Sequence, residues 1–193
     1  MTTKQYTTKT QWAILTAGSL VGLVASFIQA TERIEYAKNP KLLLSCDVNS
    51  VFSCSNVFDA WQSSVFGFSN SLMCIVFFSL ILGVAVVGLT GGQLNKYLAY
   101  TMQFFSLFFL GFGAWYLQQS AFVINSLCVF CIFCYSGVIA INWAWLRINL
   151  SFLNPKSAFA IHTKSLISRG LDTFFWLLWA ILISTMLYTG IKY

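Results

Sequence analysis

Five long apolar runs, each free of Asp, Glu, Lys and Arg, alternate with more polar stretches along the chain: Trp12 to Ala30, Ser71 to Leu89, Tyr97 to Leu117, Leu127 to Leu146 and Thr173 to Ile191. A helix rising ~1.5 Å per residue needs roughly 20 residues to cross a hydrocarbon layer of ~30 Å, and each run has about that length. Charge is costly in hydrocarbon, and lipid gives free backbone groups no partner, so runs of this kind form helices rather than strands. The pattern predicts an all-α polytopic membrane protein. The first run exceeds the ~7 to 15 residues of a signal-peptide core, and no Ala-x-Ala-like cleavage site closes it, so it is expected to persist as a span.

The longest connection runs from Thr31 to Asn70. Within it Val57, Phe58, Trp61 and Val65 recur at roughly helical spacing, behind Ser53, Ser55 and Asn56, which suit a helix N-terminus. A short amphipathic piece there would lie in the interface as a lid over the bundle, or serve as an anchoring helix with no part in chemistry. Periodicity does not separate the two. No internal repeat or low-complexity tract appears, and Pro40 and Pro155 both fall in connections. One membrane domain spanning residues 1–193 is expected, with a bundle core at about 12–146 and a further, fifth transmembrane helix at about 173–191.

Composition agrees with this reading: 58% of the 193 residues are hydrophobic and 8% charged, and the mean hydropathy is +0.75. A soluble domain carries about 25% charged residues, so this chain cannot cover a water-facing surface. With the N-terminus cytoplasmic, that side holds Lys4, Lys9, Lys96, Arg147, Lys156, Lys164 and Arg169, against Arg33, Lys38, Lys41 and Lys192 outside, where Glu32, Glu35, Asp47 and Asp59 also lie. The positive-inside rule therefore predicts a cytoplasmic N-terminus and an external C-terminus. The net charge of +6 reflects topology; the bases are dispersed without interleaved aromatic platforms, which argues against nucleic acid as a partner.

The candidate chemistry lies in the cysteines. Cys46 and Cys54 fall in the long external connection, and Cys128 and Cys131 form a Cys-x-x-Cys at the start of the fourth span. Two crossings separate these places, so both pairs face the same side. Residues three apart on a helix share a face, and a helix N-terminus favours thiolate. Cys46 and Cys54 are close enough in a flexible loop to form a disulfide and to swing between an outside partner and the helix pair. The arrangement reads as a two-stage relay. The alternatives are a structural staple beside an inert Cys-x-x-Cys, and a zinc site of four thiolates, which the wide Cys46 to Cys54 spacing disfavours; no metal is expected.

A thiol pair on an intramembrane helix is well placed to reduce a lipid-soluble carrier. Tyr135 follows Cys131 by four residues and Cys128 by seven, on the same face and about a turn deeper, where its hydroxyl can meet a quinone carbonyl. Asn70 offers a second polar group near the same boundary. An interfacial belt tyrosine and a helix-capping asparagine are the plainer readings. Cys74 and Cys134 read as small core fillers.

These residues resemble the vitamin K epoxide reductase family. The likeness is carried by Cys46-Asp47-Val48, Ser53-Cys54-Ser55 with Val57-Phe58, Ser69-Asn70-Ser71 opening the second span, and Cys128-x-x-Cys131 with Tyr135, over about Trp12 to Leu146. The resemblance implies a four-helix bundle around a quinone of ubiquinone or menaquinone type. In it Cys46 would exchange with a thioredoxin-like protein, Cys54 would pass electrons to Cys128, Cys131 would face the ring, and Asn70 and Tyr135 would bind its oxygens. The fifth span resembles bacterial members in which such a helix leads to a fused thioredoxin domain. Only Lys192 and Tyr193 follow it here, so a separate periplasmic partner is expected. The implied function is a disulfide-forming thiol:quinone oxidoreductase of the bacterial inner membrane, its active site facing the periplasm. The alternatives are reduction of vitamin K quinone or its epoxide, and a non-catalytic scaffold stapled by disulfides.

Overall fold

The computed structural model describes residues 9–153 and 158–192, all-helical apart from its connections. Five helices are long and apolar enough to cross a membrane: α1 (Lys9–Lys38), α3 (Asn70–Leu89), α4 (Lys96–Gln119), α5 (Val129–Leu150) and α7 (Leu171–Lys192). Between α1 and α3 lie the short α2 (Cys54–Asp59) and a 3-10 turn, Trp61–Ser64. Helix α6 (Ala158–Ser168) precedes α7. Lys4 and Lys156, used to orient the chain, and Pro155 lie outside the described residues.

Hydropathy marks the edge of lipid, not the end of a helix. Helix α1 therefore runs eight residues past Ala30 to Lys38, through Glu32, Arg33, Glu35 and Tyr36, residues that are polar or charged yet compatible with a helix. It stops where Asn39 precedes Pro40, a position that disfavours helical backbone. The extension is useful: Arg33 Nη1 donates to Ser63 Oγ at 2.6 Å, and Tyr36 Oη donates to Asp59 Oδ2 at 2.8 Å. It stands as a post against which α2 and the 3-10 turn rest.

Helix α5 lies between α1 and α4, and α3 packs against α1, with its Phe77 ring stacked on Phe109 of α4 at 4.1 Å, so that α1, α3, α4 and α5 share one interior. Lipid supplies no hydrophobic drive between helices, so close approach through small residues matters. Gly137 of α5 faces Gly18 of α1 so tightly that a Cβ on Gly137 would stand 2.6 Å from the Gly18 carbonyl oxygen. Buried side chains form two groups. One, around Trp12, Leu15, Phe78, Ile81 and Trp145, fills the end of the bundle away from the paired cysteines. The other gathers Val57, Phe58, Leu117, Tyr135 and the four paired cysteines at the opposite end. Leu20, Val24, Phe104, Ile181 and Leu182 stay exposed, as a lipid-facing surface requires.

Helix α7 is peripheral but firmly joined. Arg147 of α5 grips Asp172 through Nε–Oδ2 at 2.7 Å and Nη2–Oδ1 at 2.9 Å, and Trp143 Nε1 donates to Thr173 Oγ1 at 3.1 Å.

Candidate functional site: a sulfur relay beside an intramembrane cavity

Cys46 and Cys54 are joined in a disulfide, with Cα atoms 5.7 Å apart. Cys54 opens α2, whose N-cap is Ser53: the Asn56 N–H donates to Ser53 Oγ at 3.4 Å. Asp47 Oδ1 draws the segment together, accepting from Ser53 Oγ at 3.0 Å, Ser55 N–H at 3.1 Å and Ser55 Oγ at 3.2 Å. Burial pushes the Asp47 carboxyl up, but the bonds from Ser55, Ser53 and the Leu44 backbone together outweigh it and hold the group below the usual aspartate range. The backbone is pinned to the approach of α5 by Ser53 N–H to Leu127 O at 3.1 Å and Leu127 N–H to Val51 O at 2.7 Å. The flexible loop expected from sequence is thus held in place, and its disulfide is covered: Cys46 is 3% exposed and Cys54 0%.

Cys128 is the N-cap of α5 and Cys131 lies in its first turn; both are free thiols. A chain reversal delivers them. After the wide π-turn Ser120–Ile124, Asn125 adopts left-handed backbone (φ 56°), which asparagine tolerates better than most residues. Cys128 Sγ comes to 3.4 Å from Cys54 Sγ, so the two pairs touch through one sulfur of each. Gln29 of α1 is buried beside them, its Nε2 donating to Cys131 Sγ at 3.1 Å and to Cys128 Sγ at 3.6 Å.

On the far side of Cys131 opens a cavity of about 60 Å³ lined by Cys131, Asn70, Tyr135, Phe58, Phe112 and Tyr116, among others. Asn70 is the first residue of α3 rather than its cap, which is Ser69. Its Nδ2 donates to the Gln62 carbonyl at 2.7 Å, tying the 3-10 turn over the cavity, and its Oδ1 is buried without a hydrogen-bond partner. Tyr135 is 5% exposed, hence no belt residue. Its ring lies against Gly113, where a Cβ would stand 2.6 Å from Cδ2.

All six residues singled out in the sequence therefore converge: Cys46, Cys54, Cys128 and Cys131 as two touching pairs, and Asn70 and Tyr135 on the cavity beside Cys131. Phe58 of the expected lid also lines the cavity, whereas Trp61 is exposed. Cys74 and Cys134 belong to the cavity wall, a placement more specific than core filling. Sequence reasoning missed Gln29, although an amide near the end of an apolar span was a signal, and Arg33, which also lines the cavity.

Comparison with curated proteins finds no match. A family model described as the Vitamin K epoxide reductase family matches residues 13–146, which include most of α1, all of α2 to α4 and most of α5. With the greater part of the chain matched, this multi-pass membrane protein belongs to the vitamin K epoxide reductase family, quinone-reducing oxidoreductases that work through paired cysteines.

Proposed function

We propose that the chain is a membrane thiol:quinone oxidoreductase that oxidises a thioredoxin-like partner through Cys46 and Cys54 and delivers the electrons through Cys128 and Cys131 to a membrane quinone, supporting disulfide formation. The observation that carries this reading is the 3.4 Å contact between Cys54 Sγ and Cys128 Sγ. Staples need no such contact, whereas thiol–disulfide exchange requires it.

In the first stage the loop held by Asp47 opens to uncover the buried Cys46, a partner thiolate attacks Cys46 Sγ, the Cys46–Cys54 bond breaks and Cys54 leaves as thiolate. The partner's second thiol then displaces Cys46, leaving a partner disulfide and two loop thiols. In the second stage Cys54 attacks Cys128 Sγ of an oxidised Cys128–Cys131 pair, Cys131 leaves as thiolate beside the Gln29 amide, and Cys46 resolves the link. The loop disulfide is restored and the inner pair holds two electrons, which is the arrangement described above. A bound quinone supplies the sink, taking two electrons and two protons as Cys128 and Cys131 are joined.

The cavity suits a quinone in kind. Its wall is mostly aromatic and apolar, with an orphaned amide oxygen on Asn70 and a phenol on Tyr135. Its volume falls below the roughly 300 to 1,000 Å³ of ordinary ligand sites, so entry of a ring involves movement of lining side chains such as Phe112. Ubiquinone and menaquinone types both fit this chemistry. The excess of Lys and Arg in the N-terminal and even-numbered connections supports a cytoplasmic N-terminus and a periplasmic relay in a bacterial inner membrane.

The test is stoichiometric. Purified protein given a reduced thioredoxin-like protein and a short-chain quinone should form one partner disulfide per quinone reduced. Intact cysteine pairs without quinone reduction would leave only a stapled scaffold.

A further inference from the structure

We propose that Trp179 of the fifth helix is a positioning residue for the quinone site, holding the Tyr135 hydroxyl so that its proton points into the cavity. The inference rests on the reading of that cavity as a quinone site.

Trp179 Nε1 donates to Tyr135 Oη at 3.0 Å. A phenol hydroxyl lies near the ring plane with its proton on one side or the other, and a donor occupying one side leaves the proton to the opposite side. Among the described residues no acceptor takes that proton, and the cavity adjoins Tyr135. An accepted bond also polarises the hydroxyl and strengthens its own donation in a low-dielectric site. The ring itself is braced by Gly113 of α4, so α4 sets its position and α7 sets its hydroxyl.

Helix α7 is built to deliver this contact. Trp179, Ile183 and Leu187 recur every four residues and face the bundle, while most of the helix stays exposed to lipid. One end is clamped by Arg147 and Asp172, and the other nests Gly190 against Ala121 and Phe122. Trp179 sits well inside the span, away from the boundaries where tryptophans anchor helices, so its indole N–H needs a protein acceptor. The helix lies outside the family-matched residues 13–146.

The test has two arms. With isotope-labelled tryptophan, one of the seven indole N–H signals should shift in Tyr135→Phe with no quinone added, and that signal should be the one lost in Trp179→Phe. This arm leaves α7 intact in the tyrosine variant, so it holds even if Trp179→Phe fails to fold. In the second arm, equilibrium binding of a short-chain benzoquinone should weaken roughly two- to tenfold in each single variant. The double variant should bind no more weakly than Tyr135→Phe alone. An unmoved indole spectrum overturns the proposal, as does a Trp179→Phe penalty that persists in the Tyr135→Phe background. Wild-type binding unaffected by Tyr135→Phe, despite the indole shift, overturns instead the reading of Tyr135 as a quinone ligand and the proposal with it.

Discussion

Cys54 belongs to the buried loop disulfide, and its sulfur lies 3.4 Å from the thiol sulfur of Cys128. The contact joins the capped start of α2 to the start of α5, so the junction of the proposed relay is built from two helix N-termini meeting under the connection that follows α1. Four sulfurs are then ordered from Cys46 through Cys54 and Cys128 to Cys131, with the cavity beyond.

Replacing any of Cys46, Cys54, Cys128 or Cys131 by Ser should abolish partner oxidation, because each interrupts one exchange. Cys74→Ala and Cys134→Ala should keep most of it, since neither lies between the pairs. A folded but inactive Cys134→Ala protein would contradict this order.

Asn70→Ala and Tyr135→Phe should each raise the quinone KM or lower turnover roughly two- to tenfold, the effect of losing one neutral hydrogen bond of ~0.5 to 1.5 kcal/mol. Reduction of the loop disulfide by small thiols should be unchanged. Wild-type quinone kinetics in both variants would remove these residues from the site.

The spans and most of the site were legible in the sequence for identifiable reasons. Runs without charge mark lipid, and the flanking Asp47, Ser53 and Ser55 around Cys46 and Cys54 proved to be the hydrogen-bonded clasp of that loop. Other features come from separate helices and leave little trace in a linear pattern. Trp179 is one more aromatic in an apolar run until α7 is laid beside α5. Gln29 lies far along the chain from Cys131 and meets it only because Gly18 and Gly137 let α1 approach α5. The helical extension from Thr31 to Lys38 was hidden because hydropathy ends where lipid ends.

Asp47 makes the clasp pH-dependent. Its carboxyl is held below the usual aspartate range, so the stabilisation is fully present at neutral pH and is lost as pH falls through that depressed value. Reduction of Cys46–Cys54 by a water-soluble phosphine should be slow in mild acid and quicken only below the usual carboxylate range, relative to Asp47→Asn. That variant should be faster at neutral pH and lack the acid step. Identical profiles would show that Asp47 does not hold the loop.

Gln29→Leu removes the N–H aimed at Cys131 and Cys128. A donor there favours the negative charge sulfur carries when it attacks or leaves. Single-turnover oxidation of the inner pair by quinone should slow roughly two- to tenfold, the value of one hydrogen bond, with first-stage exchange intact. Equal slowing of both stages would point to a packing defect.

The most direct measurement of the relay is the disulfide trapped in Cys131→Ser. With Cys131 gone, Cys128 can attack Cys54 across the 3.4 Å contact, but no inner thiol remains to complete the inner pair. Peptide mapping by mass spectrometry after quenching at acid pH should find a population linked Cys54 to Cys128 with Cys46 free, and that link should vanish in Cys54→Ala. A Cys46–Cys128 link in its place, or an unaltered Cys46–Cys54 disulfide as the sole species over the whole range of redox buffers, would contradict the account.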